Sequence, residues 1–473
     1  LYERVSSLAS RDLLRTGPFP YLPSETAPLR AVEFDLQAGV QRLNTELKRL
    51  IDLRKEALDR LAIVRSMLAP IRRLPAELLS EIFAVAGGLC KPTLRMKAAR
   101  TLAEICTIWR ATARGTPSLW TCVDYTRGRP ERLEELLRMH ADLTEPLPLE
   151  LCAAYKNARY ADHLLTFAPQ YTSRFGELTL HGDSRTFDVD ITPDFTSLVR
   201  AHVAFSGNSH RAAYKLHFLA KAHALRSLIV DMSPSSFQHH IEGPVLPFLT
   251  DLTLNNRSEA YSVHFLPFLR RCAATVRRLT LINTSLVVTD NQHIAFPVLD
   301  SLDFHHSAHE YLTMLHAPAV TSVALRNWRG LFDGAITSLL RFLRTSHPRI
   351  HTLKLNSVSA PPSDDFLCCL EYLPSLEKLH ITRAPWDAVP WNALIRMACT
   401  DFREPLVSRL TVFTLRYADG QVPEKLQRAL RVMLRSRAAR KTLWGCTVEA
   451  LQRVETDLQG GDGAGGQDNS ATR

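Results

Sequence analysis

Leu36, Val40, Leu43, Leu47, Leu50, Ala57, Leu61, Val64 and Leu68 are separated by polar and charged residues in alternating steps of four and three, with Arg54 at the one remaining step. That spacing puts all ten positions on one stripe of a helix of about nine turns, a heptad seam. A helix is therefore predicted over 33–69. Arg54 interrupts the stripe, and an unpartnered guanidinium in a closed seam costs stability. Two arrangements stay open: a coiled-coil homodimer through this helix, or a helix that packs in an intramolecular hairpin or stands as a partly exposed lever. The preceding "GPFPYLPSETAP" is Pro-rich, so 1–32 is expected to be a flexible lead-in.

A different pattern begins at residue 175. The spacing apolar-x-x-apolar-x-apolar recurs as "FGELTL" at Phe175, "LVRAHV" at Leu198, "LRSLIV" at Leu225, "LTDLTL" at Leu249 and "VRRLTL" at Val276. It continues as "LDSLDF" at Leu299, "VTSVAL" at Val320, "IHTLKL" at Ile350, "LEKLHI" at Leu376 and "LTVFTL" at Leu410, at intervals of 21 to 34 residues. Several copies are followed by Asn: Asn256, Asn283, Asn327 and Asn356. Each copy predicts a strand whose second and third apolar side chains point inward while their neighbours point out. One such unit cannot bury its own face, so the units must stack. "AITSLLRFLRTSHP" and "DDFLCCLEYLPS" between them carry helical apolar spacing. These units resemble leucine-rich repeats, which implies a solenoid with a parallel sheet on its concave side and helices or irregular segments on its convex side.

Between these two regions lies "APIRRLPAELLSEIFAVA", which starts at Ala69 and sets a Pro and two carboxylates among large apolar residues. Pro75 fixes its own φ and needs no amide partner at a helix start, while it pushes Leu74 toward an extended backbone. Glu77 then falls in the first turn, where the helix dipole favours a carboxylate. Leu78, Leu79, Ile82 and Phe83 give a wider apolar face than a short helix needs for its own packing, and an apolar face left wet marks a partner site.

"IRRLPAELLSEIF" followed by "LAEICTIWRATARGTPSLWTCVDY" resembles an F-box, through Ile71, Leu74, Pro75, Glu77, Leu78, Leu79, Ile82 and Phe83, then Leu102, Ile105, Cys106, Trp109 and Arg110. "TPSLW", with Pro117, Leu119 and Trp120, is similar to the continuation seen in large fungal families of F-box proteins. The resemblance implies a three-helix module over 70–122 that binds a Skp-type adaptor and thereby a cullin. Ile71, Leu74, Pro75, Glu77, Leu78, Leu79, Ile82, Phe83, Ile105, Cys106 and Trp109 are the residues it assigns to adaptor binding.

Composition narrows the remaining classes. At 473 residues and 45% apolar content the chain can bury a large core. It contains no apolar run of the length of a membrane span or a secretory signal. Its first residue is Leu rather than Met, as a fragment would show. Nine scattered cysteines without a CxxC point to a reducing, intracellular compartment, cytoplasmic or nuclear, and to no zinc ribbon. The net charge of +10 comes from 58 basic residues interleaved with 48 acidic ones, which argues against a nucleic-acid binder. "PEKLQRALRVMLRSRAARK", from Pro423, concentrates seven basic side chains against Glu424. It reads either as a terminal helix with a solvated basic face or as a docking site for phosphate, a lipid headgroup or an acidic partner.

No catalytic, phosphate-loop or dinucleotide motif occurs in a plausible strand-turn-helix context, so no enzyme activity and no cofactor are expected. "HHSAHEYLTMLH" offers His305 and His309 at helical spacing as two metal ligands, but a third ligand is not evident and no metal is expected. "GGDGAGGQDNSATR" ends the chain, and 459–473 are expected to be a disordered tail.

The expectation is thus an α/β chain: a long helix, a three-helix F-box, a connecting or capping region over 123–174, and a leucine-rich-repeat-like solenoid over 175–458 that ends in a helix. Its function would be that of a substrate-recognition subunit of an SCF-type ubiquitin ligase, the solenoid holding a target protein. Along the outward strand positions the first four copies carry Glu177, Arg200, Asp231 and Asp251, and the last four carry Arg326, Lys354, Lys378 and Arg416. That gradient assigns Arg326, Lys354, Lys378 and Arg416 to target binding and implies an acidic or phosphorylated target. A repeat scaffold acting without a ligase is the alternative, and after it a nucleic-acid-binding protein that uses its basic surface.

Overall fold

The computed structural model describes residues 15, 23–90, 92–125, 132–153, 169–182, 187, 192–205, 213–233, 239–256, 263–283, 293–326, 334–358, 364–384, 389, 391–399, 404–418 and 422–456. The expected tail and Asn327 lie outside them. Leu1–Glu81 and Ile82–Arg473 form two compact units.

Helix α1, Pro23–Leu68, dominates the first unit. It starts ten residues before the predicted 33 and takes in part of the Pro-rich lead-in, including Pro28. Pro28 is the sixth residue of this helix, past the amides that have no intrahelical partner, so it gives up one i→i−4 bond near the helix start. Every residue from Val40 to Leu68 is exposed, and the apolar seam is no exception: Leu43 is 65% exposed. Among the described residues no hairpin covers it. A short 3₁₀ turn, Pro70–Arg73, follows; Leu74 then takes φ −71° and ψ 139°, the extended backbone expected before a proline. Helix α2, Ala76–Leu89, begins directly after Pro75.

In the second unit α3, Pro92–Ile105, and α4, Thr107–Arg114, pack against each other. Cys106 breaks them apart with φ −161° and caps α4, its sulfur 3.5 Å from the Trp109 amide. Phe83 packs on Trp109 with ring centroids 4.9 Å apart. The 3₁₀ turn Pro117–Leu119 sits so close to α2 that a Cβ on Gly87 would lie 2.8 Å from Leu119 Cδ2. Trp120 is buried and donates its indole N–H to the Ala113 carbonyl at 2.7 Å. Its own carbonyl meets His140 Nδ1 at 2.6 Å, on helix α5, Leu133–Thr144.

A thirteen-stranded parallel sheet forms the rest. Its strands are β1 Cys122–Asp124, β2 Leu149–Ala153, β3 Phe175–Gly182, β4 Arg200–Phe205, β5 Ser227–Met232, β6 Asp251–Asn256 and β7 Arg278–Ile282. They continue as β8 Ser301–His305, β9 Ser322–Arg326, β10 Thr352–Asn356, β11 Lys378–Ala384, β12 Val412–Tyr417 and β13 Arg453–Thr456. Spatial order follows chain order throughout.

All ten sequence repeats supply a strand, and the three apolar positions of every repeat are buried. The second of these positions falls in one register across the sheet: Leu178, Ala201, Leu228, Leu252, Leu279, Leu302, Val323, Leu353, Leu379 and Phe413 are successive partners. A slip by one residue in any strand would turn its whole apolar set to water, which is why the register holds.

Three strands were not expected. β1 and β2 lie within or beside the stretch read as a connecting region, so the sheet begins well before residue 175. β13 pairs with β12 after the last repeat. Behind the sheet, short segments of varied type close the core: a small parallel sheet of Ala213–Lys215, His239–Glu242 and Val263–His264 among the early copies, then α6 Leu266–Cys272. Four helices follow, α7 Ala335–Ser346, α8 Asp365–Glu371, α9 Trp391–Met397 and α10 Glu424–Ser436. One continuous apolar core runs from Val123 to Met433.

Candidate functional site

Helix α2 sorts its apolar residues onto two sides. Leu79 and Phe83 are each 1% exposed, whereas Leu78 and Ile82 are 46% and 43% exposed. Val85 and Leu89 are more exposed still. Positions 78, 82, 85 and 89 are separated by four, three and four residues, which puts them on one stripe of the helix. Of the four residues read as one wide apolar face, Leu79 and Phe83 are packing residues. Leu78 and Ile82 are surface, and Val85 and Leu89 extend it.

The other residues assigned to adaptor binding divide similarly. Pro75 and Glu77 are exposed, and Ile71 and Leu74 are half-buried. Glu77 lies in the first turn of α2, as its charge favours. Ile105 is exposed at the end of α3, and Ile108, which the sequence reading did not select, is more exposed than Ile105. Cys106 serves as the α4 cap and Trp109 as the platform for Phe83, so both act on the position of the neighbouring side chains.

A second candidate surface is the open face of the sheet. Across it, charged side chains pair between neighbouring strands. Glu177 of β3 meets Arg200 of β4, and Asp251 of β6 meets Arg278 of β7. Asp303 of β8 accepts from Arg326 of β9 at 2.8 Å and lies 3.1 Å from His305 Nε2. Burial alone would raise the Asp303 carboxyl, but His305 and Arg326 outweigh it and hold it below the usual carboxylate range. Asp231 stands between His202 and Asn255, 3.3 Å and 3.1 Å away.

These pairs redraw the expected charge gradient. Arg326 is neutralised by Asp303, and Arg416 of β12 binds Glu455 of β13 at 2.9 Å. The acid opposite Arg416 was missed because β13 itself was missed. Lys354 of β10 and Lys378 of β11 are exposed and have no ion-pair partner among the described residues. Between them His380 lies across from Lys354 and contacts the Thr414 hydroxyl at 3.0 Å. Burial and the Lys354 ammonium push the His380 pKa down, so the imidazole stays neutral near pH 7. The four residues assigned to target binding therefore fall on one face, and the uncompensated charge is confined to Lys354 and Lys378.

The histidine cluster separates on folding. His305 ends β8, while His309 is buried in the 3₁₀ segment His306–Met314 with Nδ1 2.8 Å from the His306 carbonyl. Among the described residues no group of three or more His, Cys, Asp or Glu side chains could hold a metal ion.

Helix α10 presents Lys425, Arg428, Arg431 and Arg435 to solvent and buries Leu426, Ala429, Leu430 and Met433. Lys425 Nζ sits 4.2 Å from the centroid of the half-exposed Trp391 ring. One member of the basic run behaves otherwise: Arg437 is 0% exposed and donates to the carbonyls of Met397, Val407 and Leu406. Sequence gave no sign of this, since Arg437 sits among six other basic residues of the same run.

No described helix is long and apolar enough to cross a membrane. No family model matches the chain, and no curated protein matches it.

Proposed function

We propose that this chain is the substrate receptor of an SCF-type ubiquitin ligase, with an F-box module at 70–122 binding a Skp-type adaptor and a leucine-rich-repeat-like sheet binding the target. It performs no bond chemistry and acts by raising the local concentration of target lysines beside the charged conjugating enzyme. The observation that carries this reading is the stripe of Leu78, Ile82, Val85 and Leu89, wet on one side of a helix whose other side holds the buried Leu79 and Phe83. Water is a poor neighbour for such a stripe, and covering each large apolar side chain contributes on the order of 1–2 kcal/mol. The start of α2 directly after Pro75 and the buried, hydrogen-bonded Trp120 support the same reading.

On the target side, Lys354 and Lys378 are the cations left free to meet an acidic or phosphorylated segment. The decisive measurement is the affinity of the purified full chain for a purified Skp-type adaptor. The unmodified chain should bind, and Leu78→Asp with Ile82→Asp should weaken binding by about a hundredfold or more, because two charges enter an apolar contact. Both positions are exposed, so the thermal unfolding midpoint should hardly move. A chain that fails to bind, or a variant that binds as tightly as the parent, removes the F-box reading.

A further inference from the structure

We infer that helix α1 is the interface of an antiparallel homodimer. Its seam is complete, long and uncovered: the helix has 46 residues, about 69 Å at 1.5 Å per residue, and all side chains from Val40 to Leu68 are exposed. A helix with no tertiary cover keeps little stability of its own, so its apolar stripe calls for a partner.

The occupant follows from the charges. In heptad terms Val40, Leu47, Arg54, Leu61 and Leu68 take position a, and Leu36, Leu43, Leu50, Ala57 and Val64 take position d. A parallel in-register pair would set Arg54 against Arg54 in one layer and Arg60 at position g against Arg65 at position e of the partner helix. Both contacts repel. An antiparallel pair centred on Asp52 removes both. It matches Leu36 with Leu68, Val40 with Val64, Leu43 with Leu61, Leu47 with Ala57 and Leu50 with Arg54, so every seam position finds an opposite number.

The same register puts Glu46 across from Arg60 twice, once at each end of the pair, and joins Leu53 to Leu53 and Ile51 to Ile51 at the centre. A shift by one heptad in either direction loses the Glu46–Arg60 match and leaves seam residues unpaired. Arg54 then faces Leu50, and its long stem can lie along the seam while the guanidinium reaches water. The seam with Ile51, Leu53, Leu58 and Met67 beside it would bury on the order of 1,500 Å² over the two chains, within the range of stable interfaces. In the single chain Glu46 is bound to Arg49 and Arg60 to Glu56, both exposed pairs that an opposing helix can replace.

Sedimentation equilibrium of the full chain tests this, with helicity followed by circular dichroism. The unmodified chain should sediment as a dimer. Arg60→Glu alone and Glu46→Arg alone should each raise the dissociation constant about tenfold, since two attractions become two repulsions. The two changes together should restore it. A monomer at tens of micromolar, or a trimer or tetramer, overturns the proposal. So does a tighter dimer for Arg60→Glu, because in the parallel arrangement the new carboxylate would meet Arg65. The outcome is independent of adaptor binding, since no residue of α1 belongs to that surface.

Discussion

Arg437 offers the sharpest test of how the C-terminal end of the sheet is held. Its guanidinium is fully buried, has no carboxylate partner among the described residues, and is held by three backbone carbonyls: Nε to Met397 at 2.8 Å, Nη1 to Val407 at 3.2 Å and Nη2 to Leu406 at 2.5 Å. Burial pulls its pKa down, which records the cost of keeping the charge there. Arg437→Ala removes that cost but strands three acceptors and leaves a cavity. Each lost charge-assisted bond is worth about 1.5–3 kcal/mol, part of it offset by the relieved desolvation, so the expected net loss is about 3–5 kcal/mol.

Arg437→Met fills the space without donors and should cost less, about 1–3 kcal/mol. Because each strand pairs only with its sequence neighbours, the loss should stay local. Hydrogen exchange is the appropriate assay: amides of α9, α10, β12 and β13 should exchange roughly a hundred- to several thousandfold faster in Arg437→Ala, and those of β3 to β6 should not change. Acceleration below tenfold, or equal acceleration in β3 and β12, would refute the view that this one side chain ties α9, α10 and the Leu406–Val407 turn together.

Two further outcomes follow. His140 is buried with Nδ1 on the Trp120 carbonyl and its pKa lowered chiefly by burial, so the unfolded chain binds the proton more readily. Its contribution is therefore present above the unfolded value of about 6.5 and is lost as pH falls below that, by up to about 1.4 kcal/mol per pH unit; urea midpoints of His140→Asn should depend less on pH between 7 and 5 than those of the parent. On the open face, Lys354→Glu with Lys378→Glu should cut target recovery from cells and leave adaptor affinity unchanged, and recovery by the parent should fall as salt is raised. Undiminished recovery would move the target surface elsewhere.

The repeats were legible because their apolar positions are dictated by burial, and each of the thirty is buried. β1 and β13 were not, for a reason visible in their length: Cys122–Asp124 has three residues and Arg453–Thr456 four, too few for a period to register. β2, Leu149–Ala153, is as long as several repeat strands but has a proline where the repeat's first apolar residue would fall. Missing β13 also distorted the charge picture, since Glu455 is the partner of Arg416. In α2 the periodicity located the helix but left open which leucine faces in; Leu78 and Leu79 are adjacent in sequence, and only packing assigns one to the surface. The role of Arg437 depends on carbonyls 30 to 40 residues away, a relation no local pattern encodes.

The agreement of spatial with chain order in the sheet bears on how the protein is made. A strand leaving the ribosome finds its one upstream neighbour already in place, at most a few dozen residues behind it, and waits for nothing still to be translated. The nascent sheet can therefore grow from β1 like a ratchet, each new repeat closing the apolar edge of the last. The vulnerable moment comes when β12 has emerged and β13, the four-residue strand that carries Arg453 and Glu455, has not yet paired with it.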